Sequence, residues 1–258
     1  MTASLSLPAL LAALSGAVLL PACATTGGPA PIEPSAWVLS ALPGQAVPPA
    51  VGATLRFEQG RASGSDGCNR FTGAYTADGE RLSFGPNLAA TQMACPEPIR
   101  GFAAAFGQAL AKTVSYRKET GALVLLDAQG ATLASFTAQP TTLAGTRWQV
   151  TGYNTGTQAV RSVAAGTRVT LEFVEGGVRG SGGCNGYSGT FTEGLGGALA
   201  FGPLRATRMA CARPPEVMSQ EAAYLRALQT VASARREGNR LELRTAEGAL
   251  AVSATLSP

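Results

Sequence analysis

Short runs in which apolar and polar residues alternate cover most of the chain. Thr54-Leu55-Arg56-Phe57 and Arg168-Val169-Thr170-Leu171-Glu172-Phe173 put every second side chain on one apolar face, the period of a half-buried strand. Gln59-Gly60 and Glu175-Gly176-Gly177 are turn signals that predict hairpins with 61–64 and 178–182. Further strands are predicted from Gly73-Ala74-Tyr75 and Gly189-Thr190-Phe191, and Asp78-Gly79 marks the turn into Leu82-Ser83-Phe84. Late strands are predicted at 114–118, 123–126 and 132–137, and again at 233–236, 240–244 and 250–254. The period changes in two places. Over 97–112, Ile99, Phe102, Ala103, Phe106 and Leu110 recur at spacings of three and four, as on one face of a helix. Over 215–232, Val217, Tyr224, Leu228 and Val231 do the same. Pro98 and Pro215 sit where a first helical turn tolerates proline. The predicted class is α+β: two tandem domains, each a curved antiparallel β-sheet packed on one α-helix.

The start of the chain has a different pattern. Residues 5–20 are almost wholly apolar, too short a run for a transmembrane helix and suited to a signal-peptide core. The run ends in Leu20-Pro21-Ala22-Cys23, which resembles the lipobox of bacterial lipoproteins. That resemblance implies a signal peptide over 1–22 and a lipid on Cys23. With Ala24 next, it also implies an outer-membrane lipoprotein facing the periplasm. An ordinary cleaved signal, giving a soluble periplasmic or secreted protein, is the alternative. Residues 23–34, rich in Thr, Gly, Pro and Ala, read as a flexible tether.

Composition narrows the chemistry. The 32 glycines and 16 prolines among 258 residues fit many turns and argue against a helical bundle. The net charge is +4, with no basic run or aromatic-basic stripe, so nucleic acid is not an expected partner. The chain contains no histidine, which excludes Ser-His-Asp, Cys-His and histidine-metal chemistry. No cofactor is expected.

The chain repeats. Gly64-Ser65-Asp66-Gly67-Cys68-Asn69-Arg70-Phe71-Thr72-Gly73 returns as Gly180-Ser181-Gly182-Gly183-Cys184-Asn185-Gly186-Tyr187-Ser188-Gly189. Phe84-Gly85-Pro86 returns as Phe201-Gly202-Pro203, and Ala90-Thr91-Gln92-Met93-Ala94-Cys95 as Ala206-Thr207-Arg208-Met209-Ala210-Cys211. Trp37 matches Trp148. Cys184 follows Cys68 by 116 positions, too long a period for a solenoid unit, so each copy is expected to be a domain: 35–139 and 143–258. The string Gly-Cys-Asn-aromatic, followed by Phe-Gly-Pro and Thr-x-Met-Ala-Cys, resembles the META domain, the family of the heat-shock protein HslJ. Leu143-Ala144-Gly145-Thr146-x-Trp148 matches that family's usual opening, of which the first copy keeps only Trp37. The family has no settled activity, so the resemblance speaks to fold and leaves function open.

Four cysteines beyond Cys23 allow three pairings. The duplication favours Cys68 with Cys95 and Cys184 with Cys211, since each copy must fold like the other. An oxidising compartment agrees with such bridges. Two cysteines per copy without histidine make poor metal coordination, so no metal site is expected. Asn69 and Asn185 are candidate binding groups, although asparagine beside glycine more often shapes a turn. Met93 and Met209 read as core fillers. Asp66 faces Gly182 in the alignment, so no carboxylate repeats there. Arg205, Arg208 and Arg213 cluster near Cys211, and Arg205 and Arg208 are candidate anion-binding residues. The expected function is therefore a non-catalytic envelope lipoprotein, held to the membrane through Cys23, with an envelope protein or an anionic surface as partner and a role in stress or envelope integrity. An inhibitor or small-ligand or anion-binding module, using loops at one end of the sheet, is the alternative.

Overall fold

A computed structural model describes residue 1 and residues 31–48, 51–157 and 159–257. Residues 2–22 of the predicted signal peptide, Cys23 and residues 24–30 of the tether lie outside the described residues. No helix among the described residues is long and apolar enough to cross a membrane.

The first copy contains β1 (Ser35–Ala41), β2 (Thr54–Glu58), β3 (Arg61–Ser65), β4 (Arg70–Asp78), β5 (Arg81–Phe84), β6 (Ala89–Ala90), α1 (Ile99–Lys112), β7 (Ser115–Glu119), β8 (Ala122–Leu126) and β9 (Thr132–Ala138). The expected curved sheet needs correction. Its strands run β1-β2-β3-β4-β5-β7-β8-β9, all antiparallel, and β9 pairs back onto β1, closing an eight-stranded barrel. Alternation dictates which side chains face inward, but it does not say whether the first and last strands meet. The seam between β5 and β7 is the thinnest join. It has one register pair, Arg81 with Ser115, flanked by Leu82 N–H to Val114 O (3.1 Å) and Tyr116 N–H to Glu80 O (2.8 Å). β6 pairs with β4 outside the ring.

The second copy contains β10 (Arg147–Asn154), β11 (Val160–Ser162), β12 (Thr170–Val174), β13 (Gly177–Ser181), β14 (Gly186–Gly189), β15 (Phe191–Glu193), a 3-10 turn (Leu195–Gly197) and β16 (Leu199–Phe201). These are followed by β17 (Arg205–Ala206), α2 (Val217–Gln229), β18 (Ser233–Glu237), β19 (Arg240–Arg244) and β20 (Leu250–Leu256). β14 and β15 are the counterpart of β4, interrupted at Thr190, and β15 pairs with β16. The thin seam recurs as a bridge between Ala198 and Ser233, with Leu199 N–H donating to Ala232 O (3.0 Å). β11 is an added strand on β10.

Each barrel has its own core. Leu55, Phe57, Phe106, Leu123 and Leu125 are fully enclosed in the first; Trp148, Leu171, Phe173, Tyr224 and Leu243 occupy the second. Full burial of one such side chain contributes on the order of 1.5–3 kcal/mol. Helix α1 starts at Ile99, with Pro98 as its N-cap, and buries Phe102, Ala103, Phe106, Ala109 and Leu110. Helix α2 ends at Gln229, short of the predicted 232; Val231 is buried beyond it.

The first copy keeps the domain opening in chemistry although not in sequence. Trp148 Nε1 donates to Thr146 Oγ1 (2.7 Å), which itself donates to Leu143 O. Trp37 Nε1 donates to Ser35 Oγ (2.8 Å), which donates to Ile32 O. In both copies a hydroxyl two residues before the tryptophan satisfies a buried indole N–H.

Disulfides join Cys68 to Cys95 and Cys184 to Cys211, each with Cα atoms 6.0 Å apart. Met93 and Met209, expected in the core, are instead 64% and 57% exposed. Their segments lie outside regular strand and are fastened through the backbone, so the side chains point outward.

Candidate functional site

The Gly-Cys-Asn loop is held from within. Asn69 Oδ1 accepts hydrogen bonds from Thr91 Oγ1 (3.1 Å) and Met93 N–H (2.8 Å). Asn185 Oδ1 accepts from Thr207 Oγ1 (2.6 Å) and Met209 N–H (2.7 Å), and its Nδ2 donates to Met209 O (3.1 Å). Each asparagine thus ties its loop to the Thr-x-Met-Ala-Cys segment beside the disulfide. Asn185 is 2% exposed and its amide groups are engaged internally, so the geometry gives it a structural duty rather than the candidate binding one.

A carboxylate sits at this loop in both copies, which corrects the reading from Asp66 and Gly182. In the first copy Asp66 Oδ1 accepts from Cys68 N–H (2.8 Å) and from Asn69 N–H. In the second, Glu221 reaches over from α2; its Oε2 accepts from Asn185 N–H (2.6 Å) and its Oε1 from Asn185 Nδ2 (2.9 Å). Gly182 makes the room, since a Cβ there would lie 2.5 Å from Glu221 Cγ. The helical counterpart of Glu221 in the first copy is Ala103.

Both barrels have a shallow groove beside this loop. In the first barrel it runs between β3, β4 and β6, past Gly64, Arg70, Phe71 and Ala89–Thr91. The same positions in the second barrel are Gly180, Gly186, Tyr187 and Arg205–Thr207. The second barrel borders the first groove: Arg235 and Glu237 of β18 form part of its wall. Arg70 Nη2 lies 2.8 Å from Glu242 Oε1 and 3.5 Å from Glu237 Oε2. Thr54 Oγ1 donates to Glu237 Oε1 (3.1 Å), and Gly238 N–H donates to Gln139 Oε1 (2.7 Å). Among the described residues, none of the first barrel lines the second groove.

Duplicated disulfides, duplicated loops and a duplicated groove on two closed barrels call for a family assignment. The META domain family model matches residues 30–140 and again 141–256. The chain belongs to the META family. Two solved structures are similar to parts of it. One is an NMR structure of a protein from Burkholderia xenovorans, 27% identical, covering 45% of this chain and 83% of its own, with a TM-score of 0.38. The other, also an NMR structure, is 25% identical and covers 43% of this chain and 88% of its own, with a TM-score of 0.34. No curated protein matches the chain.

Charge differs between the two META grooves. Gly186 replaces Arg70, and Arg205 replaces Ala89. Arg205 is exposed and has no carboxylate partner among the described residues. Arg208 is exposed but lies outside the groove lining, so the structure separates the two candidate arginines. On the wall of the second groove, Glu172 is gripped by Arg179 Nε (3.0 Å) and Arg147 Nη2 (3.0 Å). The hydrogen bonds from Arg179 and then Arg147 hold its carboxyl at about 2, well below the usual range. Beside the first groove, burial pushes the Glu242 carboxyl up. Hydrogen bonding to Arg244 and the nearby Arg70 outweigh that, so its net shift is downward. Behind the grooves, Phe71 packs on Phe106 in the first barrel (centroids 6.0 Å), and Tyr187 on Tyr224 in the second (5.7 Å). The Tyr187 and Tyr224 hydroxyls are 2.7 Å apart, and Tyr187 donates to Thr170 O (2.9 Å). Burial raises both phenols, so this pair stays neutral in the physiological range. Among the described residues no three potential metal ligands come together.

Sequence reasoning reached the loops and the disulfides but missed Glu221 and the groove. A signal for Glu221 existed: an acid on the apolar face of a predicted helix, opposite a glycine that replaces an acid in the repeat.

Proposed function

We propose that this META protein is a non-catalytic cell-envelope lipoprotein, anchored through Cys23, whose paired barrels bind other envelope components and support envelope integrity under stress. The observation that carries the reading is the contact made beside the first groove. A shallow groove that the two barrels share already has a charged β-hairpin docked at its edge in the first copy, which is the use a protein-binding surface would have. The apolar run ending in Leu20-Pro21-Ala22-Cys23 and the disulfide in each barrel support export. Mass spectrometry of the mature protein from membranes tests the anchor, with a diacylglyceryl group on Cys23 as the expected result. Cys23→Ala should move the protein to the soluble fraction and reproduce the envelope phenotype of deletion. Substrate turnover that disappears with one acidic or tyrosine substitution would overturn the non-catalytic part.

A second reading has one observation in its favour. Arg205, exposed and without a carboxylate partner in the open groove, suits a small anion. Calorimetry with inorganic phosphate and with a soluble acidic polysaccharide tests it. Saturable binding lost in Arg205→Ala supports it, and no heat with either probe rejects it.

A further inference from the structure

We infer that the open groove of the second barrel receives the β7–β8 hairpin of another copy of this chain, joining copies head to tail. The hairpin docked at the edge of the first groove supplies the template. There, β18 and β19 of the second barrel lie against Thr54, Gly52 and Arg70. The repeat counterpart of β18–β19 is β7–β8, where Arg117 and Glu119 are exposed. A second copy would therefore offer the second groove the same element that the second barrel offers the first.

The substitutions between the two interfaces occur in matched pairs. Glu237 is bound by Thr54; its counterpart is Glu119, and the counterpart of Thr54 is Thr170, which lines the open groove. Thr54 Oγ1 accepts from Ser65 N–H (3.0 Å) and gives its own hydrogen to Glu237. Thr170 Oγ1 accepts from Ser181 N–H (3.0 Å) in the same way, and its hydroxyl hydrogen has no acceptor among the described residues. Arg70 and Glu242, which pair across the first interface, become Gly186 and Val124. Both charges are lost together, so neither would be left unpaired in the contact. Gly52 faces Asn239 so closely that a Cβ would lie 2.5 Å from Asn239 Oδ1; the counterparts are Arg168 and Gly121, the large side chain having moved to the other partner. Arg205, new in the second groove, supplies a cation for Glu119. The outer face of β8 also carries the half-buried Ala122, Val124 and Leu126, an apolar stripe suited to the Gly180, Gly186 and Ala206 floor. Because groove and hairpin are different surfaces, the contact is heterologous and leaves a free end on each copy.

Sedimentation velocity of the Cys23→Ala chain across about 10 µM to 1 mM tests this. The expected result is a sedimentation coefficient that rises with concentration past the dimer. Glu119→Lys and Arg205→Glu, both at exposed positions, should each weaken association by about tenfold or more. The double variant, with the charges exchanged, should restore it. A monomer throughout the range overturns the inference. So does association indifferent to both single variants, or a double variant no better than either. Sensitivity to Arg205→Glu alone would assign the groove to a different anionic partner and overturns it as well.

Discussion

Glu221 and Asn185 are bound to each other twice, through the asparagine's backbone N–H (2.6 Å) and its side-chain amide (2.9 Å). Both residues are almost fully buried. The same loop in the first barrel is organised by Asp66 from within the loop itself. Two META copies thus solve one problem, a set of inward-pointing N–H groups, with carboxylates from different elements. Glu221→Ala should cost the second barrel about 1–3 kcal/mol, because it leaves buried donors without an acceptor. Gly182→Asp alone should also destabilise, by forcing a second carboxylate against the first. The two together rebuild the first barrel's arrangement and should recover most of the loss. Urea unfolding of the four proteins checks this as a double-mutant cycle.

Acid should weaken the second barrel through Glu172. Its carboxyl is lowered to about 2 by Arg179 and Arg147, whereas the unfolded chain titrates near 4.3. Between those values the unfolded state binds more protons, so stability rises with pH there. The contribution is complete above about 4.3 and is lost as pH falls through the folded value. Urea midpoints measured from pH 2 to 7 should lose part of their acid slope in Glu172→Gln. The effect should be modest, since both arginines are largely exposed.

The contact between barrels is polar and should respond to salt. Arg70 is 44% exposed and faces Glu237 and Glu242. Arg70→Ala should cost the contact roughly 0.2–1 kcal/mol, with a larger effect at low ionic strength. Hydrogen exchange should quicken in β18 and in the β4–β6 segment, while the β14–β17 segment stays unchanged. Lowered pH should likewise reduce the protection of these segments relative to the intrinsic exchange rate at the same pH. The net downward shift of Glu242 means its contribution is present above the ordinary carboxylate value and fades as protonation sets in.

Each disulfide should stabilise its own barrel. Replacing Cys68 and Cys95 by serine removes a link between residues 27 apart and should cost the first barrel about 3.5 kcal/mol in the chain-entropy account. The second barrel's transition should stay in place, because the two cores share no residue. Calorimetric scanning of each double-serine variant reads the two transitions separately.

Much of this was legible in the sequence for a local reason. Alternation at Thr54–Phe57 and the three-and-four spacing from Ile99 to Leu110 report which face of each element is buried, and the repeat of Gly-Cys-Asn reports the duplication. Barrel closure was not legible, because the pairing of β1 with β9 joins segments about a hundred residues apart through backbone groups that every residue carries. The exposure of Met93 and Met209 was hidden for a related reason: their segments are fixed by backbone bonds to asparagine, not by burial of the side chain. The Asp66 to Glu221 exchange escaped because the substitute lies 36 residues from the loop it serves. The groove is made by two strands and a short bridge that no single segment displays.

Ala90 and Ala206 occupy the same position in the two grooves, one bordered by the other barrel and one not, and a photo-reactive benzoylphenylalanine at each gives the most direct measurement. With dilute protein, the probe at Ala90 should cross-link within the chain to peptides of β18 and β19, and the probe at Ala206 should give no cross-link within the chain. Identical cross-linking from both sites, or none to β18–β19 from Ala90, would contradict the account.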